Sequence, residues 1–473
     1  MRALRPRLTG AELAIPLLGS GVTVLTAYMA VRMGAAVSVG ALLVVALFVV
    51  AVIGFIAYPH IAVATTIVLF ALVPTLKVFV LPEIGAVKDL LVIAAATAGV
   101  LLFAFERRQP DRWVVTLVLL LLGLYVVNVG GEYNIAWLQG IRLVGEPLVL
   151  LLVGLTLPQP QRTFRFALGA LIITGCLVAA YGIGQQVVGK YTLVELGYSF
   201  DQQVRSLPSG QLRSFGTLDD PFAYAAFLSF GLAGVFFSLR RGPLAWGAAL
   251  VLLLGLGVSF VRGAILVLVA FVGLTLGRWG YTASAVTVVA ATVVASGVIL
   301  VNAGATETRL APVGAGGAAG SANVALNGRV SAWETALGDD PTKWVLGRGV
   351  GEVGTAAARA DYTIAPSDDD TPTESQAVDS GYLATIADVG LVGLAVLLVL
   401  FARLVSLAAN AAQRTSAGWV ALALLAALML DALTRASFTG FPTAFLGLLL
   451  VGIALAAARE EDASPGRLAT TGG

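Results

Sequence analysis

Charged residues stand beside long apolar stretches at several points of the chain. Arg213 is followed by Asp219 and Asp220, which come directly before an uncharged apolar run, and Arg142 and Arg262 each have apolar residues on both sides. Guanidinium groups bind phosphates through two parallel hydrogen bonds, whereas a carboxylate can accept a proton or cap a helix. These residue types suit the binding of an anionic head group.

The composition identifies the surroundings in which these charges must act. Of the 473 residues, 58% are hydrophobic and 12% are charged, against roughly 25% charged residues in soluble domains. The chain is therefore predicted to cross a lipid bilayer many times. Its net charge of +2 is too small to suggest nucleic-acid binding. The single cysteine, Cys176, lies in an apolar run, which excludes a disulfide framework and a thiolate metal site.

Apolar stretches long enough to cross a bilayer recur along the whole chain. A hydrocarbon core of about 30 Å requires about 20 apolar residues in a helix. We predict an all-α polytopic membrane protein with about fourteen such helices. Their approximate bounds are 12–31, 34–57, 61–81, 88–105, 113–130, 139–157, 166–188, 220–239, 244–261, 263–278, 282–302, 381–404, 417–434 and 441–458.

The positions of the arginines predict the orientation of these helices. Positive residues in short loops remain in the cytoplasm, and alternate connections carry them. These residues are Arg107, Arg108, Arg112, Arg162, Arg165, Arg240, Arg241, Arg278, Arg403 and Arg414. Both termini are then cytoplasmic, and the two long connections, 189–219 and 303–380, face outward. The chain divides into a first helical part (1–302), a large external loop (303–380) and a second helical part with a cytoplasmic tail (381–473).

The large external loop is predicted to be partly helical. Residues 327–341 (NGRVSAWETALGDDP) have the pattern of a short helix, with Asn327 as its cap and Pro341 just past its end. We expect this loop to pack over the outer mouth of a cavity. Residues 367–376 (SDDDTPTESQ) are acidic. They could bind Ca²⁺, because hard cations take carboxylate ligands, or form a solvated acidic run.

Arginines are also frequent on the side predicted to face outward, where the positive-inside rule should deplete them. They are Arg142, Arg205, Arg213, Arg262, Arg309, Arg329, Arg348, Arg359 and Arg435. A single arginine beside a helix can extend its guanidinium to the lipid head groups, and this explanation stays open for Arg142 and Arg262. Several together favour a basic pocket for phosphate at the membrane surface.

Short motifs accompany these outward segments. They are GIR (140–142), RSFGTLDDPFAYA (213–225), SFVRGA (259–264), and a large external loop that holds GRVSAWETAL (328–337) and LGRGVGEVG (346–354) and closes with DSGYLATIADVGLVGL (379–394). In this order and on this side of the membrane, the motifs resemble the O-antigen ligase and polymerase family of bacterial surface-glycan transferases. The resemblance covers residues 60–450.

The resemblance implies metal-independent glycan transfer, without a cofactor, at the outer face of the bacterial cytoplasmic membrane. The donor would be a saccharide on a polyprenyl diphosphate, and the acceptor a hydroxyl of a glycan or glycolipid. Departure of the diphosphate requires positive charge where negative charge develops. On the family pattern Arg142, Arg213 and Arg329 would hold the diphosphate, with Arg213 and Arg329 acting in catalysis. Arg262 and Arg348 would add to this site.

The acceptor hydroxyl requires a base within hydrogen-bond reach, and here the chain departs from the family pattern. Ligases of the family place a His-Asn pair before the tyrosine of the last external segment, whereas this chain has Asp379 and Ser380 before Tyr382. The single histidine, His60, is predicted to be cytoplasmic. Asp379 is therefore either the base or an ordinary N-cap, and a polymerase-like member is favoured over a ligase.

Three further positions are assigned by comparison with the same family. Asp220, which stands where the family usually has Asn before Pro, is placed with Tyr382 on the acceptor side. Asp220 could equally cap the helix that follows it. Asp388 stands where the family often has Glu before Gly, and we assign it to helix packing or capping.

Other function classes fit this chain less well. A lipid-linked glycan flippase is the main alternative, because it would also have many helices and interior arginines, but it does not require a long structured external loop. A metal-dependent polyprenyl-phosphate glycosyltransferase would have paired acids in its first external loop, and VRMGAA has none. A nonspecific channel would have a filter or a repeated pore ring.

Overall fold

Helices dominate the fold. A computed structural model describes residues 35–81, 84–106, 110–130, 135–200, 203–207, 210–238, 242–281, 341–352 and 380–462. Its helices are α1 (Ala35–Ala57), α2 (Pro59–Phe79), α3 (Gly85–Glu106), α4 (Arg112–Val127), α5 (Ile135–Thr156), α6 (Pro160–Val188), α7 (Lys190–Glu195), α8 (Pro221–Ser238), α9 (Pro243–Val258), α10 (Arg262–Arg278), α11 (Pro341–Leu346), α12 (Gly381–Ala412), α13 (Ser416–Asp431) and α14 (Thr443–Asp462). A two-stranded antiparallel ribbon, β1 (Arg205–Ser206) with β2 (Leu212–Arg213), precedes α8.

Seven of the helices in these residues are long and apolar enough to cross a membrane, namely α2, α3, α5, α6, α8, α12 and α14. Helices occur at twelve of the predicted spans, and the other two, 12–31 and 282–302, lie outside the described residues. The prediction of an all-α membrane protein is thereby confirmed. The full number of spans and the cytoplasmic position of the termini stay predictions.

The centre of the bundle is built around α14. Of its most apolar 18 residues, 83% are buried, and it packs along α5. At their contact a Cβ atom on Gly154 would lie 2.5 Å from the Leu449 carbonyl oxygen, and Gly452 faces the backbone of α5 in the same way. Small residues permit this close approach in a membrane, where van der Waals contact drives helix association.

The two ends of the bundle carry separate sets of charged contacts. At one end, which we call the Arg403 end, Arg403 in α12 donates to both carboxylate oxygens of Asp111 before α4, at 2.6 and 3.3 Å. This hydrogen bonding holds the pKa of Asp111 below its usual value. Arg414 after α12 donates to Asp462 at 2.8 and 2.9 Å. The opposite end, where α8, α10 and α12 begin, is the Arg213 end.

Helix α12 is broken at Gly390, near the Arg213 end. Gly390 has φ 69° and ψ −172°, so two helical parts meet there at a kink. The break frees carbonyl groups in the preceding turn. The Ala387 carbonyl accepts the Arg348 amide at 2.7 Å, and the Asp388 carbonyl accepts the Asn128 side-chain amide at 2.5 Å. Irregular backbone is tolerated at membrane depth where protein groups satisfy it in this way.

The Arg348 amide belongs to a glycine-rich turn after the short helix α11. Gly349 in this turn has φ 113°, and a Cβ atom there would collide with the backbone of Gly130 after α4. Val350 donates its amide to the Asn128 carbonyl at 2.9 Å. The turn therefore lies against the ends of α4 and of the first part of α12, and its glycines are required by this close backbone contact.

The external loop is described only in part. The helix predicted over 327–341 falls outside the described residues, apart from Pro341, and so do the acidic residues 367–376. Pro341 was expected just past the end of that helix, but it begins α11 instead. Proline suits the first turn of a helix because its missing N–H would have no helical partner there.

Replacing Gly390 by alanine is expected to destabilise the protein. A Cβ atom would collide with the Val345 carbonyl, and this backbone conformation costs any other residue about 1–3 kcal/mol. We expect the melting temperature in detergent to fall by several degrees. Gly123→Ala in α4 is the matched control, because nothing lies within 4 Å of its Cβ position. Equal melting temperatures for Gly390→Ala and the wild type would contradict the need for the break.

Candidate functional site at the Arg213 end

Arg213 lies at the end of the β1–β2 ribbon, against the residues that precede α10. Its guanidinium donates to the carbonyls of Ser259 and Phe260 at 3.5 and 3.4 Å, and it covers the ring of Phe222 at 4.8 Å from the centroid. Arg205 is its Cα partner in the ribbon, and the Arg205 guanidinium lies 6.0 Å from the same centroid. Two guanidinium groups of the ribbon therefore face the same aromatic ring.

Polar side chains of α6 hold the segment that carries Arg213. The Gln185 side chain donates to the Gly216 carbonyl at 2.9 Å and accepts the amides of Phe215 and Gly216 at 3.1 and 3.0 Å. The Ser214 hydroxyl donates to a carbonyl of the same helix at 2.6 Å. Buried backbone groups of an irregular segment require such partners. This segment is therefore fixed against the bundle.

Arg262 is the first residue of α10, and it is exposed. Phe260, whose carbonyl accepts Arg213, has φ 51° and lies in the short turn between α9 and α10. On the next residue after Arg262, a Cβ atom on Gly263 would lie 2.8 Å from the Thr434 hydroxyl. The structure thus brings Arg213 close to the turn that carries Arg262, and this turn packs against the segment after α13.

Asp220 caps α8 and forms an ion pair. Its carboxylate accepts the Ala223 amide at 2.7 Å, which is the capping role that the sequence left open. The same oxygen lies 3.5 Å from a guanidinium nitrogen of Arg435. A contact between Asp220 and an acceptor sugar stays a prediction.

Arg142 belongs to a network of four charges on α3 and α5. It forms ion pairs with Asp89 and, at 2.7 Å, with Glu146, and Lys88 lies 3.0 Å from Asp89. The Lys88 ammonium also lies 5.2 Å from the ring centroid of Phe441. Protein carboxylates therefore already contact Arg142, and its binding of a diphosphate stays a prediction. The sequence analysis overlooked this network, although ionisable residues inside membrane spans are a signal of function.

Arg348 contributes to the structure through its backbone and its side chain. Its backbone amide donates to the Ala387 carbonyl, which the break in α12 leaves without a helical partner. Its guanidinium lies 3.5 Å from the carboxylate of Glu352. The side chain is 22% exposed. Its predicted addition to the phosphate site stays a prediction.

Tyr382 and Ser380 stand at the start of α12. The Tyr382 hydroxyl donates to a backbone carbonyl of α13 at 2.9 Å, so it joins these two helices. Ser380 occupies the N-cap position without a side-chain capping bond, and its hydroxyl donates to the Ala432 carbonyl at 3.3 Å. Asp379 and Arg329 lie outside the described residues. Since Ser380 holds the N-cap position of α12, the interpretation of Asp379 as its N-cap is wrong.

The position of Asp388 is explained by helix packing and by the hydrogen bond that its backbone carbonyl accepts from Asn128. The Asp388 side chain lies near that of Tyr125 of α4. Both residues line a cavity of about 30 Å³ together with Thr385, which is room for one or two water molecules. This position favours the packing role that the sequence assigned to Asp388.

The charged residues at the end of α13 and just after it were not assigned to the site from the sequence. The Arg435 side chain is only 12% exposed and lies 3.5 Å from the carboxylates of both Asp431 and Asp220. The Ser437 hydroxyl donates to Asp431 at 2.5 Å. The sequence did contain one signal of these residues, because Asp431 is a carboxylate near the end of a predicted membrane span.

The arrangement supplies cationic groups for an anion, and it offers no metal site among the described residues. No group of three or more His, Cys, Asp or Glu side chains in that part of the chain could hold a metal ion. Arg213 donates to the turn that Arg262 directly follows, and Arg205 is the partner of Arg213 in the ribbon. The chain matches no protein-family model and no curated protein.

Proposed function

We propose that the protein is a metal-independent inverting glycosyltransferase, similar to the O-antigen polymerases and ligases. It transfers a glycan from a polyprenyl diphosphate to a sugar hydroxyl at the outer face of the bacterial cytoplasmic membrane. The proposal includes no cofactor and no nucleic-acid partner.

The proposal is supported by mutual contacts between the motifs on which the family resemblance depends. RSFGTLDDPFAYA (213–225) contacts SFVRGA (259–264) through Arg213. LGRGVGEVG (346–354) contacts DSGYLATIADVGLVGL (379–394) through the Arg348 amide. Motifs that are distant in sequence but meet at one end of the bundle are the arrangement that a single site requires.

The reaction assigns a separate task to each group. The acceptor hydroxyl loses its proton to Asp379 while its oxygen forms a bond to the anomeric carbon of the donor. The bond from that carbon to the diphosphate oxygen breaks, and the electron pair leaves with the diphosphate. Arg213 and Arg262 stabilise this negative charge, with Arg142, Arg329 and Arg348 as further candidates. Attack opposite to the leaving group inverts the anomeric configuration.

The proposal is tested with purified protein in liposomes that contain a polyprenyl-diphosphate oligosaccharide. We expect elongated glycan, detected by mass spectrometry, with an inverted linkage, detected by NMR, at a rate that EDTA does not change. A second donor molecule and a glycolipid are supplied separately as acceptors, which distinguishes a polymerase from a ligase. Donor that moves between leaflets but stays intact with every acceptor would identify a flippase and contradict the proposal.

A further inference from the structure

Arg435 contacts three elements of the Arg213 end. Its Nε lies 3.5 Å from Asp431 of α13, its Nη1 lies 3.5 Å from Asp220 before α8, and its Nη2 donates to Thr443 of α14 at 3.4 Å. A Cβ atom on Gly440 would lie 2.6 Å from the same guanidinium. A charge enclosed to this degree is costly unless its partners are held in place. The guanidinium of Arg435 is therefore stable only while these partners stay in place, and its contacts in turn hold them there.

The backbone of the Arg435 turn holds the start of α12. The Gly381 amide donates to the carbonyls of Ala432 and Arg435 at 2.8 and 2.9 Å, and the Ser380 hydroxyl donates to the Ala432 carbonyl. The first amides of a helix have no partner within the helix. Here the turn after α13 supplies the partners.

The other side of Arg435 faces the segment that carries Arg213. Asp220, its ion-pair partner, caps α8 and lies in the same motif as Arg213. The guanidinium thus stands between the segment of the diphosphate site and the start of α12. In the proposed reaction these two parts must hold donor and base in one geometry, and a displacement of about 1 Å can lower a rate by about 100-fold.

We propose that Arg435 is a positioning residue, which fixes the start of α12 relative to the Arg213 segment. This inference rests on the proposed transfer reaction. The geometry also explains why arginine is required. Different nitrogens of one guanidinium face Asp431 and Asp220, and the single ammonium of lysine cannot reproduce this fork.

The kinetic test compares Arg435→Gln, Arg435→Lys and wild type in the liposome assay. For Arg435→Gln we expect kcat to fall about 10- to 100-fold, while KM for the donor stays within about twofold. Arg435→Lys should restore only part of the rate. Arg403→Gln is the matched control, because it removes an ion-paired arginine of the same helix bundle at the opposite end. It should lower the melting temperature without lowering kcat.

A distance measurement tests the same inference without any turnover. Spin labels are placed at Gln211, which is exposed, and at Leu383 in α12, in a Cys176→Ser background. We expect one narrow distance distribution in wild type and in Arg403→Gln, and a broader or shifted distribution in Arg435→Gln.

The outcomes separate this inference from the proposed function. A wild type that transfers no glycan contradicts the proposed function, and the spin-label distances then decide alone whether Arg435 fixes the two segments. An active wild type with unchanged kcat and unchanged distances in Arg435→Gln overturns the positioning role. A raised donor KM with an unchanged kcat also overturns it, because Arg435 would then bind the donor.

Discussion

Arg213→Ala and Arg213→Lys are each expected to lower the rate of glycan transfer by about 100-fold or more. Removal of one preorganised donor to a developing negative charge costs about 10²- to 10³-fold in other enzymes. Arg213 is preorganised here, since its guanidinium is held by two carbonyls and covers the Phe222 ring. Lysine retains the charge but loses the planar fork. The measurement is the initial rate in the liposome assay.

Arg414→Gln is the control for this prediction. Arg414 is an ion-paired but exposed arginine at the Arg403 end, so its loss should leave transfer unchanged. Exposed ion pairs also contribute about 1 kcal/mol or less to stability. Wild-type transfer by Arg213→Lys would show that the guanidinium geometry is not used, and wild-type transfer by Arg213→Ala would remove Arg213 from the diphosphate site.

Asp379→Asn is expected to lose most turnover while the protein folds normally. The amide cannot take a proton from the acceptor, and general-base catalysis contributes typically about 10²- to 10⁴-fold. Ser380 occupies the N-cap position of α12, so the substitution leaves that residue unchanged. The measurement is kcat, with the melting temperature as the test of folding.

Ser380→Ala supplies the matched control for Asp379→Asn. Its side chain makes no capping bond, so we expect it to lose one of the contacts that hold the start of α12 and to lower kcat far less than Asp379→Asn does. A wild-type product yield from Asp379→Asn would show that Asp379 is not the base. Transfer would then proceed by arginine-stabilised departure of the diphosphate, with another base or none.

The helices could be predicted from the sequence because a membrane span requires a long run without charge. α8 is an example, since its bounds of 221–238 lie within one residue of the predicted 220–239. The break in α12 could not be predicted in this way. Glycine is common in membrane helices, so its presence does not locate a kink. The kink depends on N–H donors of Asn128 and Arg348, which are distant in sequence and bind the freed carbonyls of α12.

The candidate site was predictable in its residue types but not in its pairings. Arginines in the segments predicted to face outward were visible as exceptions to the positive-inside rule, and the structure places Arg213 against the turn that precedes Arg262. Whether an arginine meets a carboxylate depends on helix packing. Arg142 meets Asp89 across two helices, and Arg435 meets Asp220 across two loops. Neither pairing follows from local spacing.

The most direct test of the diphosphate site at the Arg213 end is an electron cryomicroscopy structure of the protein with a polyprenyl diphosphate in nanodiscs. We predict density for the diphosphate within hydrogen-bond distance of the Arg213 guanidinium, beside the first turn of α10 that begins with Arg262. A diphosphate bound elsewhere, with the Arg213 guanidinium still donating to Ser259 and Phe260 and not to phosphate, would contradict the assignment of the Arg213 end as the donor site.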